Sequence, residues 1–272
     1  MKDIIEKITR EVEGPLALGE IDGFLALKRW GDGHVAPHLF TQVDELRDLD
    51  LGDPLADDAV RYPLVDLLRQ LVKQFPQGRF ALLARGCEER AIRRMLADSR
   101  DCVLNPERIF LAGFSCPPEL AEKHNCAKPW PDMLVAGEKT PGVETPATVG
   151  DDPFAQLEEW FATINRCVKC FGCRNVCPVC DCGECTMELE AMVPQRELPV
   201  DRSFLMTRAM HMADRCVYCG LCEEACPADI PLMSLYRLVA GMTGTAAARP
   251  KAPVKSKDLF ATIDTHHLEG HA

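Results

Sequence analysis

The sequence contains few aromatic residues and no long uninterrupted hydrophobic run. Aromatic side chains account for 6% of its 272 residues, whereas 47% are hydrophobic, so a core can form mainly from aliphatic groups. No stretch approaches the ~20 apolar residues that span a membrane. The most apolar late segment, residues 230–242, is interrupted by Arg237. We therefore expect no membrane span.

The sequence also lacks an excess of basic residues and an apolar signal stretch. Its formal net charge is -11, whereas a surface that binds nucleic acid phosphates is usually basic. Nucleic acid is therefore not an expected partner. The opening residues, MKDIIEKITR, are charged and amphipathic, which is not typical of an exported protein. These features predict a cytoplasmic protein.

Familiar catalytic and nucleotide-binding motifs are absent as well. The sequence has no G-x-G-x-x-G after a predicted strand, no Walker sequence and no G-x-S-x-G. Its acidic residues are scattered, and no pair of them is placed for acid–base chemistry. The sequence thus offers no candidate catalytic residue.

Cysteine, in contrast, is abundant, with 15 in the chain. Without a sign of export, so many thiols indicate metal ligands in a reducing compartment and not disulfides. Eight of them form two runs with the spacing C-x2-C-x2-C-x3-C-P. They are the first cysteine run (Cys167, Cys170, Cys173, Cys177) and the second cysteine run (Cys216, Cys219, Cys222, Cys226).

This spacing is that of bacterial iron–sulfur sites, in which three closely spaced thiolates bind one 4Fe–4S cluster and the fourth binds the other cluster. It predicts two clusters. The expected ligands are Cys167, Cys170, Cys173 and Cys226 for the first, and Cys216, Cys219, Cys222 and Cys177 for the second. The main alternative is zinc, which prefers isolated C-x2-C pairs in tetrahedral sets and does not need a third cysteine at that spacing.

The composition divides the chain into four segments. Residues 1–136 alternate helix and strand patterns and predict an α/β domain. Residues 137–153, rich in Pro, Gly, Thr and charge, predict a linker. Residues 154–240 contain both runs, and the 38 residues between the runs exceed a compact bacterial ferredoxin repeat, so we expect a mostly α-helical two-cluster ferredoxin domain. Residues 241–272 predict an extended or disordered tail.

Hydrophobic periodicity places the elements of both domains. In the first domain we expect a helix at 2–13, strands at 23–29 and 35–40, a helix at 62–75, a strand at 79–84, a helix at 88–97 and a strand at 108–114. In the second domain we expect helices at 154–164, 204–213 and 230–239. The strand–helix–strand unit at 79–114 predicts two parallel strands.

Two further cysteines occupy matching positions in this unit. Cys87 and Cys116 each follow a strand and precede a helix, so both should lie at the carboxyl edge of the sheet, where α/β folds bind ligands. A helix N-terminus favours the thiolate, so we expect both to deprotonate easily. Cys126, after the next short helix, could join them in a metal site. The alternative is that Cys87 and Cys116 are small residues buried at turns. Cys102 is expected at the opposite end of the sheet, without a role.

Three more cysteines, Cys180, Cys182 and Cys185, follow the first run too densely for structural packing. They could supply the fourth ligand of an additional cluster with the cysteines of the first domain. They could instead bind a separate metal. The sequence leaves both possibilities open.

Several of these motifs together resemble a known family. The turn ARGCEERA, the segment GFSC and the stretch CVKCFGCRNVCPVCDCGEC…HMADRCVYCGLCEEACP are similar to bacterial relatives of the iron–sulfur β-subunits of deazaflavin-linked hydrogenases and formate dehydrogenases. The second half also resembles the helical two-cluster ferredoxin subunit of heterodisulfide reductases. The resemblance covers about residues 60–240.

The resemblance implies a non-catalytic electron-relay subunit in a complex with a hydrogenase, formate dehydrogenase or heterodisulfide-reductase-like catalytic subunit and other electron-transfer subunits. It also implies an additional cluster at Cys87, Cys116 and Cys126. At the last of these sites the family often has C-x2-C. This chain has Lys123 in place of the first cysteine of that pair, so the fourth ligand stays open. FAD, which deazaflavin-linked members carry in a larger N-terminal domain, is not expected, because residues 1–136 contain no recognisable flavin loop.

Two other functions fit parts of the sequence. One is a flavin-containing oxidoreductase β-subunit that exchanges electrons with a soluble hydride carrier. The other is a redox or metal sensor, although no helix–turn–helix or basic face for DNA is visible.

Overall fold

The computed structural model describes residues 2–52, 55–56, 61–98, 102–143, 152–194 and 200–245. They form two compact units, of which the first lies within Met1–Glu144 and the second within Thr145–Lys251. The division falls inside the segment that was expected to be a linker. No helix in the described ranges is long and apolar enough to cross a membrane.

The described residues of the first unit form four helices and a six-stranded sheet. The helices are α1 (Lys2–Ala17), α2 (Leu64–Gln74), α3 (Gly86–Asp98) and α4 (Pro118–Lys123). The strands are β1 (Gly23–Arg29), β2 (Val35–Phe40), β3 (Leu49–Asp50), β4 (Phe80–Ala84), β5 (Ile109–Phe114) and β6 (Leu134–Ala136). Short 3₁₀ turns, Val43–Asp48 and Pro106–Arg108, precede β3 and β5.

The sheet is mixed, with the strand order β2-β1-β4-β5-β6, and β3 pairs with one end of β1. Strands β1, β4, β5 and β6 are parallel, with Phe80 opposite Ile109 and Ala84 opposite Gly113 in the central pair. Strands β2 and β3 run antiparallel to β1. The predicted parallel pairing of β4 and β5 is confirmed, so their carboxyl ends meet at one edge.

The core of this unit lies around the central strands. All five residues of β4 are buried, which a parallel strand covered on both faces requires. Helices α2 and α3 pack against β4, whereas α1 packs against β5 and β6. Ile8 of α1 and Leu68 of α2 are fully buried, because each lies on the apolar stripe of an amphipathic helix.

Helix α3 and strand β6 are among the elements that differ from the expectation. Helix α3 begins at Gly86, two residues before the expected start at residue 88. A Cβ on Gly86 would lie 2.5 Å from the Trp130 carbonyl oxygen, so glycine here allows the close approach of two backbone segments. Strand β6 was not predicted, because three residues are too few to give a periodic signal.

Residues 137–143, the start of the expected linker, are hydrogen-bonded to the first unit. The backbone N–H of Glu138 donates to Ser115 Oγ at 3.1 Å, and that of Val143 donates to the Cys126 carbonyl oxygen at 2.9 Å. These bonds hold the segment against the loops that carry Cys116 and Cys126. Residues 144–151 of the linker and 246–272 of the tail lie outside the described residues.

The second unit is helical, and its described residues form no strand. Its helices are α5 (Pro153–Ile164), α6 (Gly172–Asn175), α7 (Ser203–Met212), α8 (Leu221–Glu224) and α9 (Leu232–Met242), with a 3₁₀ turn at Thr186–Glu188. The Asp152 carboxylate caps α5 by accepting from two backbone N–H groups at 3.0 Å. Helices α7 and α9 pack together and bury Phe204 and Leu235. The chain thus combines an α/β sheet region with a helical region.

Gly113 of β5 lies close to the segment that leads into β6, and substituting it should destabilise the first unit. A Cβ there would overlap the Met133 carbonyl oxygen and lie 2.7 Å from Pro131 Cγ. Because the backbone would have to shift, Gly113→Ala should lower the free energy of unfolding by about 1–3 kcal/mol in urea denaturation. Gly14 in α1 is the matched control. It is exposed with no atom near its Cβ position, so alanine there should stabilise by about 1 kcal/mol. Equal changes in both variants would contradict the crowding at Gly113.

Candidate iron–sulfur sites

The two cysteine runs fold into two copies of one loop. Each residue of the second run lies 49 positions after its counterpart in the first. Lys169 and Tyr218, at matching positions, have φ values of 53° and 52°. Phe171 and Gly220, also matched, have φ values of 60° and 84°. A four-residue helix, α6 or α8, follows in each copy, so equal cysteine spacing accompanies equal backbone conformation.

Backbone N–H groups of both loops point at cysteine sulfurs. The N–H of Lys169 donates to Cys167 Sγ at 3.4 Å, and that of Tyr218 donates to Cys216 Sγ at 3.3 Å. Both donors have left-handed backbone, which costs a residue other than glycine about 1–3 kcal/mol and is retained mainly at functional sites. Such donors stabilise negative charge on sulfur, and hydrogen bonds of this kind help to set cluster potentials.

The first quartet consists of Cys167, Cys170 and Cys173 from the first run and Cys226 from the second. All four line one cavity, whose wall is otherwise apolar and includes Phe171, Phe204, Leu205 and Ile230. Burial is the largest cause that raises the pKa of Cys173 to about 11, and the charges of the other three thiols add to it. The structure therefore brings the fourth thiol of the second run to three thiols of the first.

The second quartet consists of Cys216, Cys219 and Cys222 from the second run and Cys177 from the first. Burial raises the pKa of Cys216 to about 12, with the charge of Cys219 adding to it. Burial also raises the pKa of Cys222, and the charges of Cys219, Cys216 and Cys177 contribute. A hydrogen bond from Cys180 lowers the pKa of Cys177. The fourth thiol of the first run therefore lies near three thiols of the second run.

The donor sets of both quartets suit an iron–sulfur cluster. Every candidate ligand is a cysteine sulfur, as 4Fe–4S clusters require, and backbone N–H groups are present to balance thiolate charge. Within the described ranges, no group of three or more His, Cys, Asp or Glu side chains is placed to hold a single metal ion.

The sheet-edge cysteines, Cys87, Cys116 and Cys126, follow the carboxyl ends of β4 and β5. Cys87 is the second residue of α3, Cys116 lies between β5 and α4, and Cys126 follows α4. Burial is the largest cause that raises the pKa of Cys87 and of Cys116. The charge of Cys116 adds to the effect on Cys87, and the charge of Cys126 adds to the effect on Cys116. Cys116 is therefore within electrostatic range of both Cys87 and Cys126. Cys102 precedes β5, at the amino end of that strand.

The expectation that the sheet-edge thiols deprotonate easily is wrong. Burial raises the pKa of Cys87 to about 12 and also raises the pKa of Cys116. Cys87 does lie in the first turn of α3, but the free-energy cost of removing a thiolate from water exceeds the stabilisation that the helix N-terminus provides. A buried thiol of this kind loses its proton when a metal cation binds to the sulfur.

Charged residues surround these thiols, and the sequence did not predict them as part of the site. Arg85 and Glu88 are buried and paired with each other, and the Arg85 guanidinium carbon lies 4.8 Å from the Phe114 ring centroid. Arg90 Nη2 donates to Cys126 Sγ at 3.6 Å. Arg61 also contributes, since its charge lowers the pKa of Cys87 against the larger effect of burial. The signal available in the sequence was the group of charged residues that directly follows the apolar strand β4, at Arg85, Glu88 and Arg90.

The cysteines that follow the first run each have an arginine beside them. Arg208 Nη1 donates to Cys180 Sγ at 3.0 Å, and Arg215 Nη1 donates to Cys182 Sγ at 3.8 Å. Arg174 hydrogen-bonds to Cys185. In the part of the chain that the structure describes, these three thiols are not gathered around one ion.

Comparison with known proteins points to the same class of site. Residues 210–231, which contain the second cysteine run, match the family model described as a 4Fe-4S binding domain. An F420-dependent formate dehydrogenase subunit beta of Methanocaldococcus jannaschii is 39% identical over 87 residues, which is 32% of this chain and 23% of that relative. An F420-dependent formate dehydrogenase 1 subunit beta of Methanococcus maripaludis is 39% identical over 94 residues, 34% of this chain and 24% of that relative.

A further relative comes from another oxidoreductase. NADH-quinone oxidoreductase subunit I 2 of Aquifex aeolicus is 31% identical over 88 residues, 29% of this chain and 38% of that protein. The predicted resemblance to iron–sulfur β-subunits of deazaflavin-linked enzymes is confirmed by the two formate dehydrogenase subunits. The chain spans about a quarter of the length of those two relatives. The resemblance to hydrogenase and heterodisulfide reductase subunits stays a prediction.

Proposed function

We propose that this chain is an iron–sulfur electron-relay subunit that binds two 4Fe–4S clusters, one in each quartet. The observation that carries the proposal is the exchange of thiols between the runs, with Cys226 beside the first run and Cys177 beside the second. The family match over the second run and the similarity to subunits of two oxidoreductases support it.

The residues around each quartet would control electron exchange. A bound 4Fe–4S cluster accepts and releases one electron at a time. Phe171 and Phe204, with ring centroids 5.0 Å apart, would exclude water from the first quartet. Cys170 is exposed, so this quartet would exchange electrons with a partner, since transfer needs a short distance to the surface. Lys169 and Tyr218 would stabilise the ligand sulfurs through their backbone N–H groups.

The proposal extends to the sheet-edge cysteines, which would bind an additional cluster or a metal. Cys116 lies within electrostatic range of both other thiols, which supports this, as do Arg85 and Arg90, which would balance the charge of the thiols once they are deprotonated. The fourth ligand stays open.

The partners would be a catalytic subunit and other electron-transfer subunits of a multi-subunit redox complex. The relatives are named as subunits of formate dehydrogenase and NADH-quinone oxidoreductase, which supports an assembly of this kind. The catalytic subunit would be of the formate dehydrogenase, hydrogenase or heterodisulfide-reductase type. The chain itself would relay electrons between that subunit and another redox partner.

Anaerobic purification followed by iron, sulfide and flavin analysis tests the proposal. We expect more than about eight iron atoms per chain, because each of the two clusters contributes about four and the sheet-edge site adds more. Flavin should be absent. Stoichiometric FAD would instead support a flavin-bearing subunit that exchanges hydride equivalents, and zinc without sulfide would contradict the clusters.

A further inference from the structure

We infer that Arg208 raises the reduction potentials of both clusters together. The inference rests on the proposed function, because it requires a cluster in each quartet. The observation behind it is that one buried guanidinium faces thiols of both quartets at once.

Arg208 lies in the interior of the second unit, on α7, and only 2% of it is exposed. Its Nη2 donates to the Cys173 carbonyl oxygen at 2.9 Å, which joins it to the first quartet. Its Nη1 donates to Cys180 Sγ at 3.0 Å, and Cys180 in turn hydrogen-bonds to Cys177 of the second quartet. The guanidinium carbon also lies 5.9 Å from the Tyr236 ring centroid. The side chain is thus held between the two quartets.

Cysteine thiols, and no carboxylate, surround the charge of Arg208 in the described part of the chain. The titratable groups that face it are Cys177, Tyr236, Cys180, Cys173 and Cys216. A buried cation is costly unless an anion is near. The thiolates of two clusters would provide that negative charge, so the arginine and the clusters would stabilise one another.

This placement has a direct effect on electron affinity. A one-electron donor adds one negative charge to a cluster, with no bond made or broken and no proton transferred. A fixed positive charge nearby stabilises that added charge, and the effect is stronger inside a protein than in water. Because one guanidinium faces both quartets, it would favour the reduced form of both clusters.

Arg208→Gln tests the inference by removing the charge while keeping a hydrogen-bonding side chain. In an anaerobic redox titration with mediator dyes, followed by electron paramagnetic resonance, both midpoint potentials should fall. We expect the reduction equilibrium of each cluster to weaken about tenfold, equivalent to about 59 mV for one electron. Arg208→Lys keeps the charge and should stay within about threefold of the unchanged protein. Arg202→Gln, an exposed arginine at the start of α7, is the matched control and should shift neither potential.

The outcomes are distinct. Unchanged potentials in Arg208→Gln with both clusters loaded would overturn the inference, as would a shift of one cluster alone. If Arg208→Gln does not bind iron, Arg208→Met, which is also uncharged, takes its place, and unchanged potentials in that variant with both clusters loaded would overturn the inference. Loss of iron in both variants would assign Arg208 a structural role and overturn it as well. If the wild-type protein binds neither iron nor sulfide, the proposed function itself is refuted.

Discussion

Cys177→Ala should remove the cluster of the second quartet and leave that of the first, although Cys177 belongs to the first cysteine run. The reason is that Cys177 lies within electrostatic range of Cys216, Cys219 and Cys222. The iron content should fall by about four atoms per chain. Iron analysis gives the loss, and electron paramagnetic resonance of the reduced protein identifies which cluster is gone.

Three further variants make this result specific. Cys222→Ala removes a thiol of the same quartet from the other run, so its spectrum should match that of Cys177→Ala. Cys226→Ala should give the opposite spectrum, because Cys226 lines the cavity of the first quartet. Since Cys180 hydrogen-bonds to Cys177, the double variant Cys177→Ala/Cys180→Ala excludes replacement by the neighbouring thiol. Loss of the first-quartet signal in Cys177→Ala would show that the ligand pairing is wrong.

Cys87→Ser should lower the iron content by about four atoms, because the cluster proposed at the sheet edge would lose a ligand. Serine has nearly the same size as cysteine, but its hydroxyl is a poor replacement for a thiolate ligand. The signals of the two quartets should stay unchanged, because they belong to the second unit. Iron analysis and redox titration of the intact chain measure both effects.

Cys102→Ser is the control for this variant. Cys102 lies at the amino end of β5, whereas Cys87 follows the carboxyl end of β4. Replacing Cys102 should therefore leave the iron content unchanged. If Cys87→Ser also kept all its iron while folding normally in circular dichroism, Cys87 would be a buried residue at a turn with no metal-binding role.

The strongest periodic patterns predicted the fold well. Residues 62–75 and 79–84 were expected to form a helix and a strand, and α2 and β4 occupy nearly the same bounds. Apolar spacing reports which face of an element is buried, so long segments are the easiest to predict. The three residues of β6 give no such pattern, and the start of α3 depends on the close approach of Trp130 to Gly86. Both features follow from contacts between segments that are distant in sequence.

The candidate site was only partly predictable. The chemical type of the two quartets follows from the cysteine spacing, because that spacing suits the corners of a 4Fe–4S cluster. The acidity of the sheet-edge thiols does not follow from sequence. A helix N-terminus suggested easily formed thiolates, whereas burial raises the pKa of Cys87 to about 12. Desolvation depends on every neighbouring segment, and local sequence cannot report it.

By itself, the sequence determined that this chain carries two equivalent cysteine loops and an α/β region with thiols after two strands. Spacing and periodicity are local properties, and they constrain ligand type and element order directly. The spacing also predicted that the fourth thiol of each run joins the other run, whereas only the tertiary structure decided that Arg208 contacts groups of both quartets. Those relations join residues far apart in the chain, and packing alone brings such residues together.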